Sequence, residues 1–233
     1  MSEVELKLVH GVGVKDMFRA TNTVHYRIWS NMLARCYYDN VKEEKKKTYS
    51  GDTVAPEWHK LSDFYAWLNT IRGFDDEVSS ISGKCLDKNL IIPCSSVFGP
   101  KTCVFVDKKI NKLTFLRLRG RDDDLPIGLR KDKSNNFSAR FSNKYIGTCE
   151  TALDAHMLWL NARIDHLKAA AKEFKHIDLV GSMLLERHVA LMQEHYNNGV
   201  EFKPGEFLVI PNDNINDILA IFYKDNVDFQ ITL

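Results

Sequence analysis

Between residues 126 and 174 the apolar residues change their period, and that change limits the fold more than any other feature of the chain. Residues 126–131, 136–141 and 144–149 read as three short strands, and in the first two apolar and polar residues alternate with a spacing of two, the pattern of one buried face. Ser134-Asn135-Asn136 and Ser142-Asn143 separate these segments and are turn-forming types. From Thr151 onward, Leu153, Met157, Leu160, Ile164, Leu167 and Ala171 recur every three or four residues, the spacing of a helix with one apolar face. Thr151 can cap this helix, with Asp154 in the capping-box position. The expectation is three short strands followed by a long helix over 151–174 that packs on their sheet.

The same reading places helices on either side. Residues 24–37 carry Ile28, Met32, Leu33 and Cys36 at helical spacing, with Trp29 beside them. A charged loop, 42–47, follows. A turn at 51–57 leads to a helix over 61–71 with Leu61, Phe64, Tyr65, Leu68 and Ile71 on one stripe, and Ser62 is its expected cap. Apolar segments 86–92 and 103–106 flank a turn-rich loop, 93–100, and a short helix is expected over 108–115. Strand, loop, strand and helix in about thirty residues make a compact ββα unit. Residues 120–124 read as a linker. Beyond 175, helices over 179–196 and 214–223 and strands over 206–210 and 227–232 are expected. The fold class is therefore α+β in three parts: 1–119 with N-terminal helices and the ββα unit, 120–175 with the three strands and helix, and a small α/β C-terminal module, 176–233.

The chain has 233 residues and a net charge of only +1, which gives no overall attraction for nucleic acid. Its distribution says more. From Lys108 to Lys144 there are eleven Lys or Arg against four Asp, a local surplus of seven, and the remainder is correspondingly acidic. A basic stretch inside a neutral protein is an electrostatic footprint for phosphates. Five cysteines without a C-x-x-C pair argue against a disulfide framework, and a reducing cytoplasm is the expected compartment. Cys85, Cys94 and Cys103 are spaced too widely for an ordinary structural zinc site and read as small buried hydrophobes. No apolar run is long enough to cross a membrane, and the first fourteen residues lack the pattern of a secretory signal.

Four strings, in order, carry a resemblance. Tyr26 to Tyr37 is similar to Y-x-x-W-x-x-M-x-x-R-C-Y. Thr48-Tyr49-Ser50-Gly51, with Glu57-Trp58 and Phe64 to Trp67, is similar to T-Y-x-G…E-W…F-x-x-W. Leu86-Asp87-Lys88-Asn89, Gly99 to Val106 and Ile110-Asn111 are similar to L-D-K-D…P-E-T-C-x-F-V…I-N. Leu125 to Ala155 is similar to L-P-x-G-V…L-G-x-F-x-T-x-x-E-A. Together they span roughly 24–175 and resemble phage HNH homing endonucleases that carry a DNA-binding domain of the plant APETALA/ethylene-response type.

The resemblance implies a divalent-metal nuclease centre with a metal ligand and a general base on the first strand and a final ligand on the helix. Carried onto this chain, those positions are Asp87, Lys88 and Asn111. A protonated lysine cannot take a proton from water near neutral pH unless its pKa falls far, and its charge opposes a metal cation. Asn89 and Lys101 also replace acidic residues of the pattern. The HNH-like unit is thus expected to be degenerate and the chain to have no metal cofactor. Mg²⁺ would be held by Asp87 and Asn111 only were the nuclease active. His59 is the nearest alternative base and reads as a polar loop residue.

The resemblance also implies that the small sheet lies in a DNA major groove. By alternation Phe137, Ala139 and Phe141 face the helix, with Leu129 beside them, whereas Arg130, Ser138, Arg140 and Ser142 face outward. Arg130, Lys131, Lys133, Arg140 and Lys144 are expected to converge on one face, with Ser138 and Tyr145 among the contacts. Arg suits guanine and Lys suits phosphates. Arg117, Arg119 and Arg121 extend the contact, and Lys108, Lys109 and Lys112 add grip on the backbone. The expected function is a sequence-specific double-stranded-DNA binder, a transcriptional repressor derived from a homing endonuclease. It would act in the cytoplasm of a bacterial host, in a phage or phage-satellite setting. The alternatives are an active Mg²⁺-dependent nuclease that nicks or cuts DNA, and an inhibitor that engages a host factor through 206–233. No membrane partner is expected, and any homodimer contact would lie in the C-terminal module.

Overall fold

The computed structural model describes residues 8–38, 51–71, 83–92, 95–114, 125–203 and 215–223. The charged loop 42–47, the linker 120–124, the strands expected at 206–210 and 227–232, Cys94, Arg117, Arg119 and Arg121 lie outside the described residues. The fold is mixed helix and sheet. Its elements are α1 (Val24–Tyr37), β1 (Thr53–Val54), α2 (Leu61–Thr70), β2 (Lys84–Asp87), β3 (Val97–Phe98), β4 (Val104–Asp107), α3 (Lys108–Thr114), β5 (Leu129–Lys131), β6 (Phe137–Phe141), β7 (Lys144–Cys149), α4 (Ala152–Phe174), α5 (Leu179–Asn198) and α6 (Ile215–Phe222). The chain divides into two compact units, one made of 1–105 with 213–233 and the other of 106–212. The three parts expected from the sequence are contiguous, whereas the first of these units takes its last segment from the far end of the chain. Among the described residues no helix is long and apolar enough to cross a membrane.

In the first unit, α1 and α2 bury Trp29, Met32, Leu33, Leu61, Phe64 and Leu68. Trp58, from the 3₁₀ turn Pro56–Trp58, meets Phe64 edge-on at 5.1 Å and Trp67 at 4.5 Å. The Trp29 indole donates to the Trp58 carbonyl at 2.7 Å, the kind of partner a buried indole requires. Ser62 does not cap α2. The cap residue is Lys60, which offers no side-chain bond. Asp16, 46 residues earlier, accepts the Ser62 backbone N–H at 3.0 Å and the Ser62 hydroxyl as well. A carboxylate here satisfies an orphan amide and suits the positive end of the helix dipole. β1 pairs in parallel with β3, a short strand inside what reads as loop, and β2 pairs with β4. At the end of α6, the Tyr223 hydroxyl accepts from the Trp67 indole at 3.1 Å and donates to the Pro100 carbonyl at 3.1 Å.

In the second unit β5, β6 and β7 form an antiparallel sheet in that order, with α4 packed on it and α5 packed on α4. Thr151 caps α4, accepting the Asp154 N–H at 3.1 Å and donating its own hydroxyl to the Asp154 carboxylate at 2.6 Å. The buried stripe of α4 is Ala155, Trp159, Leu160, Arg163, Ile164, Leu167, Ala171 and Phe174 among others. Leu153, expected to be inside, is exposed. Two partners, sheet and helix, widen the buried sector and turn it away from the helix start. Gly128 has φ +88°, and a Cβ there would stand 2.1 Å from Trp159, so this turn demands glycine twice over. Asp178 caps α5 by accepting from Gly181 at 3.0 Å, and its other oxygen accepts from Asp107 at 2.8 Å, which ties the end of β4 to the helical hairpin.

Candidate nucleic-acid interface

The register decides which side chains share a side of the small sheet. Leu129 pairs with Ala139, Arg130 with Ser138 and Lys131 with Phe137. On the other side of β6, Phe137 pairs with Cys149, Ser138 with Thr148 and Ala139 with Gly147. The register then slips, and Arg140 pairs with Tyr145 and Phe141 with Lys144. Directly paired residues point to the same side. Phe141 meets the His166 ring of α4 at 5.2 Å, and a Cβ on Gly147 would stand 2.9 Å from Leu158, so the Phe137–Ala139–Phe141 side faces the helix as expected. The opposite side carries Arg130, Ser138, Arg140, Tyr145 and Thr148. All are exposed except Ser138, which is half-buried, and Tyr145 is 60% exposed.

Two expected members of this face belong elsewhere. Lys131 pairs with Phe137 and holds its ammonium 5.7 Å from that ring, and Lys144 pairs with Phe141. Both therefore lie on the helix side, at the sheet's margins. Ser142 lies in the β6–β7 turn with Asn143, at φ +48° and +64°, the two-residue turn that matches strand twist. Lys133 stands on the β5–β6 turn. Asp132 fixes that turn by accepting the Ser134 and Asn136 N–H groups at 2.8 and 3.0 Å.

Thr148 is the member that the alternation misses. Tyr145 and Thr148 are three apart, which puts them on opposite sides of a regular strand. The slip inserts Ile146 as an extra residue, a β-bulge, and brings both to the open side, where their hydroxyls bond at 3.0 Å. A glycine inside a strand pattern is a signal of such a bulge, and Gly147 supplies it.

The residues that carry the nuclease resemblance are otherwise engaged. Asp87, 3% exposed, accepts the Asn89 and Leu90 backbone N–H groups, both at 2.8 Å, and so folds the turn that follows β2. Burial raises its pKa to about 6, against the lowering effect of those two bonds and of Lys88. Lys88, 7% exposed, pairs with the buried Asp52 carboxylate at 3.4 Å. It donates to the Ser95 carbonyl and lies 5.4 Å from the Phe98 ring. It is a staple between β1, β3 and the turn after β2. Asn111 sits half-buried on α3, in the other unit, where its carbonyl accepts from Thr114. His59 shares a 3.0 Å hydrogen bond with the Val54 carbonyl and meets Tyr37 edge-on. Cys103 is fully buried, and burial pushes its thiol up to about 12, the state of an inert core thiol. Among the described residues no three His, Cys, Asp or Glu cluster as a metal would need. Lys108, Lys109 and Lys112 lie along α3, with Lys108 and Lys109 exposed and Lys112 likewise.

No protein-family model, no curated protein and no solved structure matches the chain.

Proposed function

We propose that the chain is a sequence-specific double-stranded-DNA-binding protein that represses transcription, and that it reads its site with the open side of the β5–β6–β7 sheet. The observation that carries this reading is the set of heads on that side: two exposed guanidinium groups, the exposed hydroxyls of Tyr145 and Thr148 and the half-buried hydroxyl of Ser138, with no carboxylate among them. Three strands spaced by roughly 4.8 Å make a plate about 10 Å across, and a major groove is about 12 Å wide. Arg130 and Arg140 suit bidentate contact with guanine, while Lys131, Lys133 and Lys144 at the margins suit the flanking phosphates. A frame resembling a homing endonuclease supplies long-site recognition. Lys88, held by Asp52 and Ser95, is engaged in packing and not free to activate water, which favours occupancy of a site over cleavage.

The test is selection from a random double-stranded DNA pool at about 0.15 M salt, near physiological screening, with Mg²⁺ present, sequencing both retained molecules and their ends. An enriched, intact motif is expected. Motifs with breaks at fixed positions would return the chain to Mg²⁺-dependent nucleases, and a pool without enrichment would overturn the DNA reading.

A further inference from the structure

Resting on the sheet reading above, we infer that Thr148 is a positioning residue for base recognition: it holds the Tyr145 phenol so that the hydroxyl pair addresses a base edge beside the one met by Arg140. Three observations meet here. The bulge at Ile146 turns Tyr145 and Thr148 to the same side. Their hydroxyls bond at 3.0 Å although both groups are exposed. Arg140 stands directly across the strand pair from Tyr145, and Ser138 directly across from Thr148. A solvent-exposed phenol ordinarily samples several rotamers, and the bond to Thr148 restricts it before any ligand arrives.

The chemistry of two bonded hydroxyls follows from proton counting. One donates to the other. The accepting hydroxyl then keeps its own proton for an outside acceptor, while the donating one keeps its lone pairs for an outside donor. The pair therefore presents one donor and at least one acceptor side by side, in either polarity. That suits the adjacent acceptor and donor atoms on an adenine edge in the major groove. Tyr145 and Thr148 lie on β7 and pair directly with Arg140 and Ser138 of the central strand, so the hydroxyl pair is a neighbour of the Arg140 guanidinium, whereas Lys131 and Lys144 stand at strand ends on the helix side.

The experiment compares the wild-type chain with Thr148→Val, Thr148→Ser and Tyr145→Phe, each taken through the same random-pool selection and then titrated on the wild-type motif. Val keeps the β-branched shape on the strand and removes only the hydroxyl. Thr148→Val is expected to weaken binding about three- to tenfold, the net worth of one hydrogen bond or a little more. It should relax base preference at a single position, the one that Tyr145→Phe relaxes, and Thr148→Ser should restore both. Wild-type preference in Thr148→Val, or an equal loss at every position, would overturn the positioning role and leave the sheet reading standing. A wild-type chain that enriches no motif would overturn the sheet reading and this role with it.

Discussion

Replacing Lys88 by Met should destabilise the first unit by about 3 kcal/mol at neutral pH. The substitution keeps the aliphatic stem against Phe98 and removes the charge. Asp52 is left behind with a side chain 1% exposed, and Lys88 itself is only 9% exposed at the side chain, so solvent screens neither. Breaking a buried pair by removing one partner costs about 3–5 kcal/mol, because the survivor stays buried and charged. The lower end applies here, since Asp52 has interactions beyond Lys88. Asp52→Asn alone should cost less, because the Lys88 ammonium keeps the Ser95 carbonyl and the Asn89 side chain. The double variant should be more stable than the sum of the singles predicts, by about 1–2 kcal/mol, as expected for residues in contact. Urea unfolding followed by tryptophan emission measures this. Trp29, Trp58 and Trp67 all lie in the first unit, and a Trp159→Phe background silences the second. A Lys88→Met loss under 0.5 kcal/mol, or strict additivity in the cycle, would refute the staple and reopen a chemical role for Lys88.

Three further outcomes are expected. Arg140→Ala should cost about 1–3 kcal/mol in DNA binding and relax one base position; equal affinity of wild type and variant for the selected site would sink the assignment of Arg140. Acidification from pH 7 to 5 should move the contributions of two buried groups, Asp87 and His156, in opposite directions. Asp87, with its pKa raised from 3.8 to about 6, takes up a proton in the folded state first, so its contribution is lost as pH rises through 6 and regained as pH falls. His156, whose pKa burial lowers, holds Ile127 and Phe202 as a neutral ring, so the second unit loses stability as pH falls below about 6.5, where the unfolded ring gains its proton. Urea midpoints read on the two tryptophan sets measure this, and Asp87→Asn should remove the acid-side gain from the first unit; a pH dependence unchanged by that substitution would refute the Asp87 sign. Gly128→Ala should cost about 2–4 kcal/mol through positive φ and the collision with Trp159; a loss under 1 kcal/mol, read on Trp159 emission, would refute that close approach.

Elements whose partners lie close in sequence were legible. The change of period at Thr151 places the three strands and α4, because alternation and helical spacing are local properties of an amphipathic chain. Helix α1 follows from its stripe for the same reason. What escaped depends on distant partners or on a single inserted residue. Asp16 caps a helix 46 residues away. β3 pairs with a strand more than forty residues earlier. Lys88 reads as a charge and lies buried because Asp52 waits for it. On β7 the bulge at Ile146 brings Tyr145 and Thr148 to the open side, while Lys144, expected there, pairs with Phe141 on the helix side. The lesson for the site is specific: residue types along β6 and β7 suggest a nucleic-acid surface, while the register decides which of them form it.

The split of the first unit has a mechanical consequence. Its last piece, with Tyr223 bonded to Trp67 and Pro100, comes after residues 106–212 have been inserted. A tension applied between handles at residues 8 and 223 passes through the first unit alone, because the loop that contains the second unit is closed at its base. The inserted unit bears no load until that closure tears. An optical-trap record should therefore show a first rupture that releases the outer segments, 8–105 and 213–223, about as much chain as the insert holds, followed by the extension of 106–212 as a separate event. Holding the sheet of the second unit with a ligand would delay only the later step.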